Sequence, residues 1–337
     1  MYDPTALLAE FGRKIDPIME KYLLKNISSD FVEPVIYPIR MGGKRVRPAL
    51  TIISALAVGG KAEDAYPAAS AVELAHNYSL ILDDIIDHSE LRRGFPTVWK
   101  KYGLSTAILV AVHYRESISD ALLDTRDPKT FHDIMTRTIK LLTDGERLDI
   151  LFEQSGREDE PYVAMKRYRK VSLKEYLEMI EKKTGVLLET SCVFGGLSVE
   201  GVDDSTIEAL KTYGRNIGLA FQVSDDIIDI FGDEKKTGKK VGGDIKEHKL
   251  GNVVILLALE ELGEDSFLYK TISKNEVTWE DVALAIEEIK RTNSLQRAEE
   301  LRLEYTNKAL SALEKLPESK YREMLKELAI FIKKREF

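Results

Sequence analysis

The chain has a single cysteine, Cys192, in 337 residues. That excludes an intramolecular disulfide framework and any cysteine-built zinc or iron–sulfur site, and it points to a reducing, cytoplasmic setting. Long apolar runs are missing as well. The stretches Thr106–His113 and Val186–Gly196 fall well short of the roughly 20 residues that span a bilayer. The N-terminus has no basic start followed by an apolar block, so neither a signal peptide nor a membrane anchor is expected. Positive charge is not in excess either. With 49 Lys and Arg against 57 Asp and Glu, the formal net charge is −8, which argues against nucleic acid as a partner. Alternating strand-like runs do not recur, and no Gly/Ser/Pro-rich linker or low-complexity tract divides the chain. A single domain over residues 1–337 is therefore expected.

What is present is helical periodicity. Hydrophobic residues make up 44% of the chain, enough to bury a sizeable core. In Ala68–His88 an apolar stripe of Val72, Leu74, Ala75, Leu80, Ile81, Ile85 and Ile86 recurs at helical spacing. Further helices are expected over Pro4–Lys25, Pro48–Leu56, Ser105–Leu123, Pro128–Ser155, Leu173–Leu197 and Asp203–Phe231. The pattern continues over Asn252–Leu262, Trp279–Lys290, Ser294–Lys315 and Lys320–Lys334. The fold class read from this is all-α. Three segments interrupt the pattern: the Gly-rich turn Met41–Pro48, the basic loop Glu90–Gly103 and the long Gly/Lys-rich connection Phe231–Lys249. Loops of that last length inside a domain usually carry function or are disordered.

The pentapeptide DDIID occurs twice, at Asp83–Asp87 and at Asp225–Asp229, each time after an apolar helical segment and before a basic loop. In a helix, Asp83 and Asp87 share one face about 6 Å apart along the axis, while Asp84 points about 100° away. Asp225, Asp226 and Asp229 repeat the arrangement. Three carboxylates in five residues repel one another, so something must offset that repulsion. Oxygen-only ligands on a rigid element suit a hard cation, and Mg²⁺ takes one or two carboxylates together with substrate phosphates. The cations lie close by in sequence: Lys44, Arg45 and Arg47 in the Gly-rich turn, Arg92 and Arg93 after the first cluster, Lys239, Lys240 and Lys249 after the second. Arg forks and Lys point charges are the usual partners of phosphate oxygens. One such acidic cluster alone would be read as a solvated helix face. Two identical ones on apolar segments, each with a basic loop, read as a metal–diphosphate site.

At these residues the chain resembles a trans-isoprenyl diphosphate synthase of the polyprenyl synthetase family. The marks appear in order: GGKRVRP at Gly42–Pro48, DDIID then RRG at Asp83–Gly94, KTG at Lys183–Gly185, QVSDDIID at Gln222–Asp229, and TGK with a downstream Lys at Thr237–Lys249. The resemblance implies a bundle of long antiparallel helices around a central cavity (the isoprenoid synthase fold), with the two clusters facing each other at its mouth, usually as a homodimer. It implies a prenyltransferase that condenses isopentenyl diphosphate head to tail with an allylic diphosphate, with Mg²⁺ as cofactor. The metal ligands it implies are Asp83, Asp87, Asp225 and Asp229, with Asp84, Asp226 and Lys183 also in the catalytic set. Arg92, Lys183, Thr184, Gln222, Lys239 and Lys249 resemble contacts of the allylic diphosphate. Gly43, Lys44, Arg47, His76 and Arg93 resemble the isopentenyl diphosphate pocket.

Chain length is read from Tyr78 and Ser79, five and four residues before Asp83. One aromatic at the fifth position with a small neighbour resembles geranylgeranyl diphosphate synthases; two adjacent aromatics would resemble farnesyl diphosphate synthases. Departures from the family pattern fall at Val110–Leu122, where a Gly-Asp-x-Leu run is usual, and at Lys249–Val254, which reads KLGNVV. The alternatives that stand beside a short-chain synthase are farnesyl diphosphate as the main product, a non-catalytic subunit of a heteromeric prenyltransferase, and a terpene cyclase. Both acidic clusters and the basic residues of the isopentenyl pocket weigh for the synthase.

Overall fold

The computed structural model describes residues 4–234 and 240–333. Its regular structure is almost wholly helical. The first helices are α1 (Pro4–Gly12), α2 (Asp16–Leu23), α3 (Val32–Arg40), α4 (Val46–Ala57) and α5 (Tyr66–Ile86). They are followed by α6 (Val98–Tyr102), α7 (Leu104–Leu123), α8 (Pro128–Leu151), α9 (Pro161–Lys166), α10 (Leu173–Ile180), α11 (Val186–Leu197) and α12 (Asp204–Phe231). The remainder are α13 (Gly243–Lys246), α14 (Val253–Leu262), α15 (Phe267–Ile272), α16 (Trp279–Ile289), α17 (Ser294–Leu313) and α18 (Lys320–Lys333). Among the described residues no helix is long and apolar enough to cross a membrane.

Most expected helices are present, with differences that have local causes. Pro4–Lys25 is broken by a 3₁₀ turn at Arg13–Ile15. Leu173–Leu197 is α10 and α11 joined by a π-helical turn, Glu181–Gly185. The α3 helix went unread because it carries Pro34 and Pro38, residues that oppose a helix interior. It forms because Val35, Ile36 and Ile39 bury one face. The basic loop after α5 contains a short antiparallel hairpin, β1 (Leu91–Arg92) with β2 (Phe95–Pro96). Its two turn residues, Arg93 and Gly94, both have positive φ (56° and 81°), the geometry that two-residue hairpin turns require.

The backbone divides into two compact units. Unit 1 comprises Met1–Ile139, Leu187–Gly214 and Ser311–Leu328. There α7 packs along α5, and α4 contacts both α1 and α5. Ile52, Val72, Leu74, Val110 and Ile118 are buried, and the rings of Phe131 and Phe194 lie 4.6 Å apart, tilted by 40°. The unusual Val110–Leu122 segment serves this packing. Tyr114 is buried with its hydroxyl donating to the Val35 carbonyl at 2.8 Å, and His113 Nε2 lies 2.7 Å from the Leu23 carbonyl oxygen.

Unit 2 comprises Lys140–Val186, Arg215–Leu310 and Ala329–Phe337. Leu148, Phe152, Tyr176, Met179, Ile227, Ile230, Val253 and Val254 are among its buried core. The α10 helix starts at a capping box, in which Ser172 Oγ accepts from the Glu175 N–H while the Glu175 carboxylate accepts from the Ser172 N–H. The α14 helix starts at Asn252, whose side-chain oxygen accepts from the N–H groups of Val254 (2.9 Å) and Ile255 (3.3 Å). The unusual Asn of KLGNVV is thus an N-cap.

Candidate active site

In unit 1 the first acidic cluster ends α5. Asp83 and Asp84 lie in the last turn and Asp87 is the residue after it, with its N–H still bonded to the Asp83 carbonyl at 2.8 Å. The stacking of Asp83 over Asp87 is therefore retained. A helix C-terminus carries partial negative charge, so carboxylates there meet repulsion from the helix as well as from each other. Asp84 is the buried member. Its Oδ1 accepts from both Nε (2.8 Å) and Nη2 (2.7 Å) of Arg92. Burial raises the Asp84 carboxyl above the ordinary range, and the Arg92 charge opposes that rise.

Beside this cluster several cations gather. His76, eight residues before Asp84 on α5, is half-buried. Its imidazole is pushed well below the usual histidine range by burial and then by the charges of Arg47, Arg93, Arg92 and Arg45. A neutral ring among guanidinium groups can donate one N–H to an anion. The Arg93 guanidinium rests against Gly43, where an added Cβ would lie 3.0 Å from Nη1. Gly43 is thus a place where backbone and guanidinium share one small space. Lys44 is exposed and Arg47 is half-buried in the first turn of α4. The structure thus brings Arg47, His76, Arg92 and Arg93 together, with Gly43 against Arg93.

Arg45, from the same basic motif, does something else. It adopts a left-handed backbone (φ 52°) and is buried. Nε donates to Asp16 Oδ1 at 2.8 Å, Nη1 to Glu73 Oε1 at 2.8 Å and Nη2 to the Ile39 carbonyl at 3.0 Å. It braces the Gly-rich turn from behind.

In unit 2 the second cluster lies in the last turns of α12. Asp225 is half-buried. Asp226 is turned inward and fully engaged: Oδ2 accepts from Tyr176 Oη (2.7 Å) and the Val253 N–H (2.9 Å), and Oδ1 accepts from Gln222 Nε2 (3.0 Å). Burial raises its carboxyl well above the ordinary range, with Asp244 adding to the effect. Asp229 accepts the N–H of Gly243 at 3.0 Å and of Asp244 at 3.1 Å, which ties the start of α13 to α12. Burial, then the nearby Asp244 charge, push the Asp229 carboxyl up to about 7. Two carboxylates that oppose each other's ionisation are a pair that a cation would relieve.

Two of the predicted phosphate ligands of unit 2, Thr184 and Gln222, connect to this cluster. Thr184 Oγ1 donates to Gln222 Oε1 at 2.8 Å, and Gln222 passes the chain on to Asp226. Lys183 Nζ donates to Asp149 Oδ2 at 2.6 Å and pairs with Glu146 Oε2 at 2.9 Å. Lys249 Nζ lies 3.8 Å from the same Asp149 Oδ2 and 3.0 Å from Glu247. Burial works to raise the Asp149 carboxyl, but the charges of Lys183 and Lys249 outweigh it and hold it at about 2. Lys240 stands over the Trp279 ring at 4.8 Å. Lys239 lies outside the described residues.

Sequence reasoning did not find Glu146, Asp149, Tyr176 or Asp244. One signal was available for Asp149: a charged residue within the apolar run Leu148–Phe152 calls for a buried partner. Among the described residues no three acidic or imidazole side chains enclose an ion by themselves. Mg²⁺ takes one or two carboxylates per ion and completes its shell with phosphate and water. The donor set, oxygen-only carboxylates at helix C-termini, fits that ion.

A family model described as polyprenyl synthetase matches residues 29–289. A geranylgeranyl diphosphate synthase of Saccharolobus solfataricus is 36% identical over 307 residues, covering 89% of this chain and 88% of its own. A short chain isoprenyl diphosphate synthase of Methanocaldococcus jannaschii is 39% identical over 254 residues, 74% of this chain and 73% of its own. The crystal structure of a geranylgeranyl pyrophosphate synthetase from Pyrococcus horikoshii superposes with a TM-score of 0.87 at 33% identity, covering 98% of this chain and 99% of that one.

Proposed function

Since the chain belongs to the polyprenyl synthetase family and is a prenyltransferase with the all-α fold of the prenyl synthases, we propose that it condenses isopentenyl diphosphate with an allylic diphosphate, with geranylgeranyl diphosphate as its main product. The observation that carries this reading is the placement of both DDIID clusters in the last turns of long helices, with Arg92 and Arg93 acting on the first and, at the second, Lys249 acting on Asp244, the neighbour of Asp229. Asp83 and Asp87 in one cluster, and Asp225 and Asp229 in the other, are the residues that would hold Mg²⁺. When bound, Mg²⁺ neutralises charge on the departing diphosphate oxygens.

Arg92, Lys183, Thr184, Gln222 and Lys249, with Lys239, contact the allylic diphosphate. Gly43, Lys44, Arg47, His76 and Arg93 hold isopentenyl diphosphate without a metal, His76 as a neutral hydrogen-bond donor. Asp84 and Asp226 act from behind, Asp84 by orienting Arg92 and Asp226 by orienting Gln222. The allylic C–O bond breaks, the isopentenyl double bond attacks the resulting cation at its terminal carbon, and the proton lost from the new C–C adduct leaves to the released diphosphate. The twenty-carbon product is supported by the names of the relatives and by Tyr78 beside the small Ser79 on α5.

Leu104, Ile108 and Val112 fall at every fourth residue of α7 and are 52%, 46% and 55% exposed, with Leu109 beside them at 58%. This exposed apolar row supports a homodimer. Cys192 is buried and fits a reducing compartment, which supports a cytoplasmic setting.

The test is to incubate the purified protein with isopentenyl diphosphate and each allylic starter, with Mg²⁺ and with a chelator, and to size the products. A twenty-carbon diphosphate that disappears on chelation, and in Asp83→Ala or Asp225→Ala with melting temperature kept, is the expected outcome. No condensation with any starter would sink the reading in favour of a non-catalytic subunit.

A further inference from the structure

In unit 2 the Lys183 ammonium lies between two carboxylates of one helix. Asp149 and Glu146 stand three residues apart on α8, on one face, at 2.6 Å and 2.9 Å from Lys183 Nζ. Gly145 makes this approach possible, since a Cβ there would lie 2.4 Å from the Lys183 backbone nitrogen. The two carboxylates differ in placement. Asp149 is buried and is shared between Lys183 and Lys249, which come from separate segments. Glu146 brings a second negative charge to a lysine that Asp149 already partners. All three side chains are largely removed from water, at 25%, 15% and 10% exposure for Lys183, Glu146 and Asp149, so their charges are weakly screened. An arriving phosphate oxygen must compete with Glu146 for the Lys183 protons, whereas Asp149 keeps both ammonium groups directed to one place.

We propose that Glu146 and Asp149 are positioning residues of opposite sign: Glu146 restrains Lys183 from the diphosphate, and Asp149 anchors Lys183 and Lys249 for it. The inference rests on the reading above, that these lysines receive the allylic diphosphate. Damage to the fold weakens binding; a restraint, when removed, strengthens it. Glu146→Gln keeps the shape and removes the charge.

The experiment compares wild type, Glu146→Gln and Asp149→Asn by calorimetric binding of inorganic pyrophosphate in Mg²⁺ and by steady-state kinetics with each substrate varied. Glu146→Gln is expected to lower the pyrophosphate Kd and the allylic KM by about three- to tenfold. Asp149→Asn is expected to raise both. The KM for isopentenyl diphosphate stays the same in each. If Asp149→Asn does not fold, Glu146→Gln alone decides. Unchanged or weaker pyrophosphate binding by Glu146→Gln overturns the proposal, as does an equal shift in both KM values. A wild-type protein that binds pyrophosphate yet condenses nothing would instead count against the enzymatic reading, and the Kd comparison would still judge the pairing.

Discussion

Gly145 carries no reactive group, yet its missing side chain decides where Lys183 sits. A methyl group there would meet backbone atoms of Lys182 and Lys183 at 2.4 to 2.8 Å, and backbone cannot swing aside as a side-chain tip can. Gly145→Ala is expected to destabilise the protein by about 2–4 kcal/mol, read from urea or thermal unfolding. A change below about 0.5 kcal/mol, the range of ordinary surface substitutions, would show that α8 and the π turn yield easily. The residue scale also shows where sequence stops being informative. Charge alone does not distinguish Lys44, Arg45 and Arg47 as phosphate cations, whereas the family resemblance picks out Lys44 and Arg47. Arg45 is separated from the others by its left-handed backbone and its three internal partners, Asp16, Glu73 and the Ile39 carbonyl. Those partners come from three different helices and none is implied by the motif. The same holds for Asp84 and Asp226. Helical geometry says that they point away from their neighbours, but only packing says that they meet Arg92 and Tyr176.

At the scale of elements, α5 carries the first cluster, His76 and Tyr78 on one continuous run, and this much was legible from periodicity alone. Tyr78 lies five residues before Asp83, about 7.5 Å lower along the axis. It is half-buried, and Ser79 beside it turns its hydroxyl back to the His76 carbonyl at 2.8 Å. If Tyr78 stops the growing tail, Tyr78→Ser yields products longer than twenty carbons by chromatography against standards; an unchanged profile assigns the stop to another residue. The joint between α10 and α11 was not legible. A π turn inserts one residue into a helix without changing its composition, so Leu173–Leu197 reads as a single helix. The insertion lets Lys182 and Lys183 both reach carboxylates of α8, Lys182 at Asp144 (2.6 Å) and Lys183 at Asp149.

For the whole molecule, composition and helical pattern were enough to give the all-α class, because 44% apolar content placed at helical spacing leaves few other solutions. They could not show that the backbone falls into two compact units, since no linker marks the division. They also could not show which apolar residues of α7 stay outside. The exposed row of Leu104, Ile108, Leu109 and Val112 emerges only once the opposite face is seen to be filled by Ala107, Val110 and Tyr114. If this row is the contact of the proposed homodimer, wild type is expected to sediment as a dimer and the double variant Ile108→Lys with Val112→Glu as a monomer; a dimer unaffected by both charges would place the contact elsewhere.

The ends of α5 and α12 share one further property. Each carries carboxylates in its last turns, where the helix's own peptide dipoles add to their mutual repulsion. Cargo carrying its own divalent ions would knit them tight. The same ions would then set the charge at both helix ends, which is lowest while the pyrophosphate is held and highest once it has gone.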